Sequence, residues 1–310
     1  MSNKQTETLD ISNNRAGLTC FAWLSIGAAV LTIGLKSGAY LLTGSVGLLS
    51  DAIESGVNLV AAIMALAMLT VAAWPADESH LYGHSKAEYF ASSVEGILIL
   101  VAAGGIIFTA IQRLLNPKEL EQVGVGLIVS ISASLINLAV AQILLQAGRK
   151  NNSITLEADA QHLMTDVWTS VGVVVAIGVV ALTGWIVLDP LIAIAVGLNI
   201  IWTSYQLMRR SVAGLMDASL PPEEQKLIEN VIAKYRQKNV QFHALRTRQS
   251  ASRRFVSVHV LVPGRWTVHD THHIADDFES DIRKVLPESI VYTHLEPIDD
   301  EISMHDINDK

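Results

Sequence analysis

Six stretches of this chain are apolar enough, and long enough, to cross a membrane. They cover roughly residues 17–41, 46–73, 89–113, 123–147, 156–183 and 189–213, against the about 20 apolar residues that span hydrocarbon. Only helices and closed barrels satisfy every backbone polar group in lipid, so six such runs in series predict a membrane α-helical bundle. Composition agrees: 50% of residues are hydrophobic and 17% charged, where soluble domains carry about a quarter charged residues. The depletion is uneven. Residues 16–215 hold the apolar runs and 216–310 ordinary mixed sequence, which predicts a membrane domain followed by a soluble one.

The remaining boundaries follow from charge. Residues 1–15 are polar and read as a cytoplasmic N-terminal segment with no signal peptide. Residues 299–310 read as an acidic C-terminal tail. With the N-terminus inside, the inner side holds Lys4, Arg15, Lys86, Arg149, Lys150, Arg209 and Arg210, and the outer side Arg113 and Lys118. The positive-inside rule then puts both termini in the cytoplasm; short loops and compact size suggest a bacterial inner membrane. A net charge of −8 disfavours nucleic-acid binding, which needs a basic surface. Cys20 is the sole cysteine, so neither a disulfide within the chain nor a cysteine-cluster metal site is available.

Two spans carry polar stripes. Asp51, Glu54 and Asn58 lie in the second, and Asp159, His162 and Asp166 in the fifth. Each set is spaced i, i+3, i+7, which puts its side chains on one helical face. Ionisable groups inside a span are costly and mark ion pathways. Antiparallel packing of the two spans would bring Asn58 near His162 and Glu54 near Asp166. Those four supply nitrogen and oxygen ligands for a divalent cation, a set that suits zinc with iron, cobalt, cadmium and manganese as competitors. Asp51 and Asp159 lie nearer the helix ends, where helix–helix bonding or a vestibule role fits equally. Ligands must shed protons to bind metal, so exchange of metal for protons at this site is chemically natural.

Two further clusters lie outside the spans. The loop "DESHLYGH" presents Asp77, His80 and His84 within eight residues. The soluble part reads α-β-β-α-β, a two-layer α+β domain of ferredoxin-like order. His243 and His259 fall on its paired strands, His272 on its second helix, and His294 and Glu296 on one face of its last strand. His269 and His305 carry no signal of their own.

Together, "TGSVGLLSDAIESGVNLVAA", "HLMTD", "DESHLYGHSKAE" and the α-β-β-α-β tail resemble the cation diffusion facilitators, of zinc or iron type, over nearly the whole chain. The resemblance implies a homodimer that exports divalent metal from the cytoplasm in exchange for protons by alternating access. It implies a transport site of Glu54, Asn58, His162 and Asp166, an inner-loop site of Asp77, His80 and His84, and a cytoplasmic-domain site of His243, His259, His272, His294 and Glu296. It further implies a charge interlock between Lys86 and Asp217. Zinc members typically have Asp or His at the place of Glu54 and Asp at that of Asn58, so Zn2+ and Fe2+ both remain open as transported and structural ions. No organic cofactor is expected, and the partners are a second copy, membrane lipid, metal cations and protons. An intramembrane metalloenzyme is disfavoured because the chain has no H-E-x-x-H string; a passive divalent channel and a membrane-anchored metal sensor remain as alternatives.

Overall fold

In the computed structural model, the described residues are 17–303 apart from 44, 45, 117–124, 186 and 238. Six long helices come first: α1 (Thr19–Thr43), α2 (Val46–Ala72), α3 (Ala87–Leu115), α4 (Val125–Lys150), α5 (Ile154–Thr183) and α6 (Leu188–Leu215). Among the described residues, five of them are long and apolar enough to cross a membrane. The sixth, α5, has the length but carries Glu157, Asp159, His162 and Asp166 in its first half, all buried. The expected six apolar spans are thus five apolar helices and one whose polar half is wrapped by its neighbours. Large apolar side chains such as Trp23, Val101, Phe108 and Leu135 face outward, as hydrocarbon solvent permits.

Within the bundle α1 packs along α2, α4 along α5, and α3 against α2 and α5. Leu18, Leu69, Leu144, Leu156 and Leu163 form a seam with Ala22, Ala28, Ala141 and Ala160. Small residues let membrane helices approach closely, and α3 and α6 use the same device. Ser204 Oγ donates to the Gly96 carbonyl at 2.6 Å, Ser92 and Ser211 hydroxyls meet at 2.7 Å, and a Cβ at Gly96 would sit 2.6 Å from Met208 Cγ. At the foot of α3, Glu88 accepts from Ser153 Oγ at 2.5 Å, and Thr155 Oγ1 donates to the Glu88 carbonyl at 3.2 Å. These bonds start α3 and α5 at one level.

A second unit begins at Ala213, inside the last turn of α6. It contains α7 (Pro222–Arg236), β1 (Gln241–Ser250), β2 (Arg253–Val262), α8 (Val268–Val285) and β3 (Ser289–Pro297). The three strands form one sheet in the order β1-β2-β3, the first pair antiparallel and the second parallel. Proline and two glutamates open α7, where the helix dipole favours acids; Thr267 caps α8 by accepting from the Asp270 N–H at 3.1 Å. Alternation along β2 puts Val256, Val258, Val260 and Val262 into a core with Ile228, Val231, Phe278 and Ile282. The odd-numbered positions of β2, His259 among them, therefore face away from the helices.

Candidate metal sites

The two polar stripes meet. Asn58 of α2 reaches both partners on α5: its Nδ2 donates to Asp166 Oδ2 at 2.6 Å, and its Oδ1 lies 2.6 Å from His162 Nε2. An amide oxygen only accepts, so Nε2 carries the imidazole hydrogen in this arrangement. His162 Nδ1 is buried without a hydrogen-bond partner. A cation bound through Nε2 must therefore expel that hydrogen or drive it to Nδ1. Glu54 belongs to α2, but its side chain and that of Asp51 lie outside the described residues. The structure thus has Asn58 beside His162 as expected, and in addition beside Asp166.

Asp166 Oδ2 has a second donor that sequence reading passed over, Asn137 Nδ2 of α4 at 3.0 Å. Asn137 shares a helical face with Ser130 and Ser134, at i, i+4, i+7, but small hydroxyls are weak ligands and no ionisable group stands with it on that face. Its 1% exposure marks it only once the bundle is assembled. Asn58, His162 and Asp166 also line a cavity of about 650 Å³, whose other walls include Leu98, Ala102, Thr109, Thr169 and Val196. The cavity reaches Arg113 at the end of α3 and Asp189 at the start of α6, which pair at 3.4 Å. A polar floor under apolar walls is the form of a small-ligand site.

The loop between α2 and α3 gathers Asp77, His80 and His84. Asp77 Oδ1 lies 3.3 Å from His80 Nδ1 and Oδ2 lies 3.4 Å from His84 Nε2, and the two imidazole centroids are 4.4 Å apart. One donor atom from each residue falls within 4.8 Å of the others, close enough to surround one ion. Backbone N–H groups of His80 at 2.6 Å and Ser79 at 2.9 Å both bind Asp77 Oδ1. The His80 bond above all holds the Asp77 carboxyl below the ordinary carboxylate range, so it stays ionised as a ligand.

In the second unit, strand register builds a ladder. His243 of β1 is opposite His259 of β2, which is opposite His294 of β3. Successive ring centroids are 4.9 Å apart. Glu296, two residues beyond His294, is the hub: it lies 2.7 Å from His243 Nε2, 3.1 Å from His259 Nδ1 and 3.5 Å from His294 Nε2. The register slips between His243 and Arg246, with Ala244 at φ +49°; such bulges re-aim neighbouring side chains. His272 stands exposed on α8, its ring tilted 45° to that of His273 at 6.2 Å, and is not among the residues gathered at Glu296. Asp217, also at positive φ, accepts from Arg248 Nη1 at 3.1 Å, whereas Lys86 belongs to the first unit.

Comparison with known proteins gives two family matches. Residues 22–216 match the family described as the cation efflux transmembrane domain. Residues 220–298 match the one described as the cation efflux protein, cytoplasmic domain. An uncharacterised transporter of Synechocystis sp. is 54% identical over 280 residues, 90% of each chain. The cation-efflux pump FieF of Klebsiella pneumoniae is 32% identical over 274 residues, 88% of this chain and 90% of its own. FieF of Escherichia coli O127:H6 is 30% identical over 269 residues, 87% and 89%. A solved chain of CzrB, 30% identical, covers 25% of this chain and 96% of its own length with a TM-score of 0.24.

Proposed function

The chain belongs to the cation diffusion facilitator family and is a divalent-cation efflux transporter of the membrane, and on that premise we propose that it exports zinc or, next, iron(II) in exchange for protons. The observation that carries the proposal is the Asn58–His162–Asp166 arrangement at the floor of a cavity. Imidazole nitrogen and carboxylate oxygen suit zinc, and iron(II), cobalt and cadmium compete for such a set. Glu54 completes the ligands from α2.

The ligand chemistry of His162 and Asp166 supports proton exchange. A cation bound through Nε2 sends the hydrogen now shared with Asn58 Oδ1 to Nδ1 without net release, so the exchanged proton comes from a ligand protonated before the metal arrives, the Asp166 carboxyl or a doubly protonated His162, and its return releases the cation. The cavity ends at these residues, so one face has access at a time. The opposite state opens the other end of α5. With both termini in the cytoplasm, the Arg113–Asp189 end is the outer one. The Asp77–His80–His84 and His243–His259–His294–Glu296 clusters are the sites for resident ions, with His272 belonging to the second as the resemblance implies, and the chain assembles as a homodimer. Lys86 and Asp217 interlock the two units.

The test uses purified protein in sealed vesicles, following zinc, iron(II), cobalt, cadmium and manganese entry together with internal pH. Coupled metal and proton movement that disappears in Asp166→Ala supports the exchanger. Metal flux without proton movement means a channel. Metal binding by the soluble part with no flux means a sensor.

A further inference from the structure

Glu95 lies in the first half of α3 and is fully buried, and neither of its carboxylate oxygens has a hydrogen-bond partner among the described residues. Across from it on α5 is Asp159, 1% exposed. Its Oδ1 accepts from Ser25 Oγ of α1 at 3.0 Å, and its Oδ2 has no partner among the described residues. Glu95 follows Glu88 by seven residues and Asp159 follows Thr155 by four, so each shares a helical face with one side of the Glu88–Thr155 contact, and α3 and α5 pack against each other. Three oxygen atoms from two helices are thus turned inward with nothing to bind. Stripping one carboxylate of water costs several kcal/mol, and a second beside it adds repulsion. Leucine or glutamine would fill the same space without either cost.

Their place in the bundle is informative. The cavity lining begins at His162 on α5 and at Leu98 on α3. Asp159 and Glu95 each stand about one helical turn short of those residues, on the sealed side of the floor. A cation crossing between the cavity and the other face passes between them.

We propose that Glu95 and Asp159 form a second divalent-cation site, built from oxygen donors and set one turn behind the Asn58–His162–Asp166 floor. Carboxylate oxygens select hard cations such as manganese(II) and magnesium over softer ones, so this site favours harder cations than the floor does. Its role as the station a cation occupies before reaching His162 rests on the transport reading above; the site itself does not.

The test counts manganese(II) bound per protomer by the full-length protein in detergent, reading free metal by electron paramagnetic resonance. Glu95→Gln and Asp159→Asn are each expected to bind one ion fewer than the native chain, with Glu95→Asp retaining it. The same loss is expected when Glu95→Gln is added to Asp166→Ala, which separates this site from the floor. An unchanged count in Glu95→Gln overturns the proposal. So does a lost carbonyl stretch of a protonated carboxyl with no change in count, which would show the pair sharing a proton instead. A loss in Glu95→Gln that Glu95→Asp does not rescue overturns it too, as a packing effect. Absence of flux in vesicles with this count intact would sink the transport reading and leave the site standing.

Discussion

Asp166 is held by two amides from two different helices, Asn58 and Asn137, both on Oδ2. That leaves Oδ1 as its open ligand atom and makes the amides positioning groups. A hydrogen bond to a charged group contributes about 1.5–3 kcal/mol, so Asn137→Ala should lower the melting temperature and weaken zinc binding, read by thermal shift and calorimetry. Asn58→Asp should act in opposite senses on the two: the new carboxylate tightens zinc, but it faces Asp166 and destabilises the metal-free protein. Sequence reading found His162 and Asp166 because their helical spacing repeats. It missed Asn137 and Glu95 because the residues on the same face nearest to them, Ser134 and Ser92, are weak ligands that do not announce a site, and their meaning lies on the helix opposite. In the second unit Tyr235 Oη donates to Asp281 Oδ2 at 3.1 Å. Burial, and then the Asp281 charge, push the phenol above its ordinary value of 10.0. A folded-state value above the unfolded one gives stability that is complete below pH 10 and lost as pH rises past it. Tyr235→Phe should therefore flatten the alkaline limb of a pH–stability curve measured by circular dichroism.

Among the elements, α3 and α6 depend on absent side chains. A Cβ at Gly197 would stand 2.6 Å from Ile107 Cγ1, and overpacking typically costs 1–3 kcal/mol. Gly197→Ala should lower the melting temperature accordingly, with little effect on metal binding by the soluble unit. The bulge in β1 makes the complementary case. Ala244 sits at φ +49°, a region a β-branched residue avoids. Ala244→Val should cost at least about 1 kcal/mol and loosen zinc at His243, measured by competition with a chromogenic chelator. Helix and strand positions were legible from period and from punctuation such as Pro221, Pro222 and Pro263. The bulge was not, because "HALR" contains no glycine to announce a left-handed residue. The cross-strand ladder was only half legible: residues 294 and 296 share a face by spacing alone, but their alignment with 243 and 259 needs the register.

At the scale of the whole molecule, the proposed alternating access predicts that the floor opens to one side at a time. A cysteine placed at Thr169, which lines the cavity, in a chain with Cys20→Ser, should react with an impermeant thiol reagent from the Arg113–Asp189 side only. Zinc should slow the reaction. Labelling from both sides at comparable rates would contradict the sealed floor. The second unit has its own consequence, which concerns the order of folding. β1 and β2 are neighbours in sequence and can pair as a hairpin early, whereas β3 joins β2 in parallel only after α8 has crossed over. Glu296 is 53 positions from His243, so the ladder cannot exist until this slow, non-local pairing is made. An ion captured there closes that long loop and acts as a latch on the last strand to dock. If the ladder takes metal as proposed, the metal available during synthesis sets how quickly newly made chains finish folding.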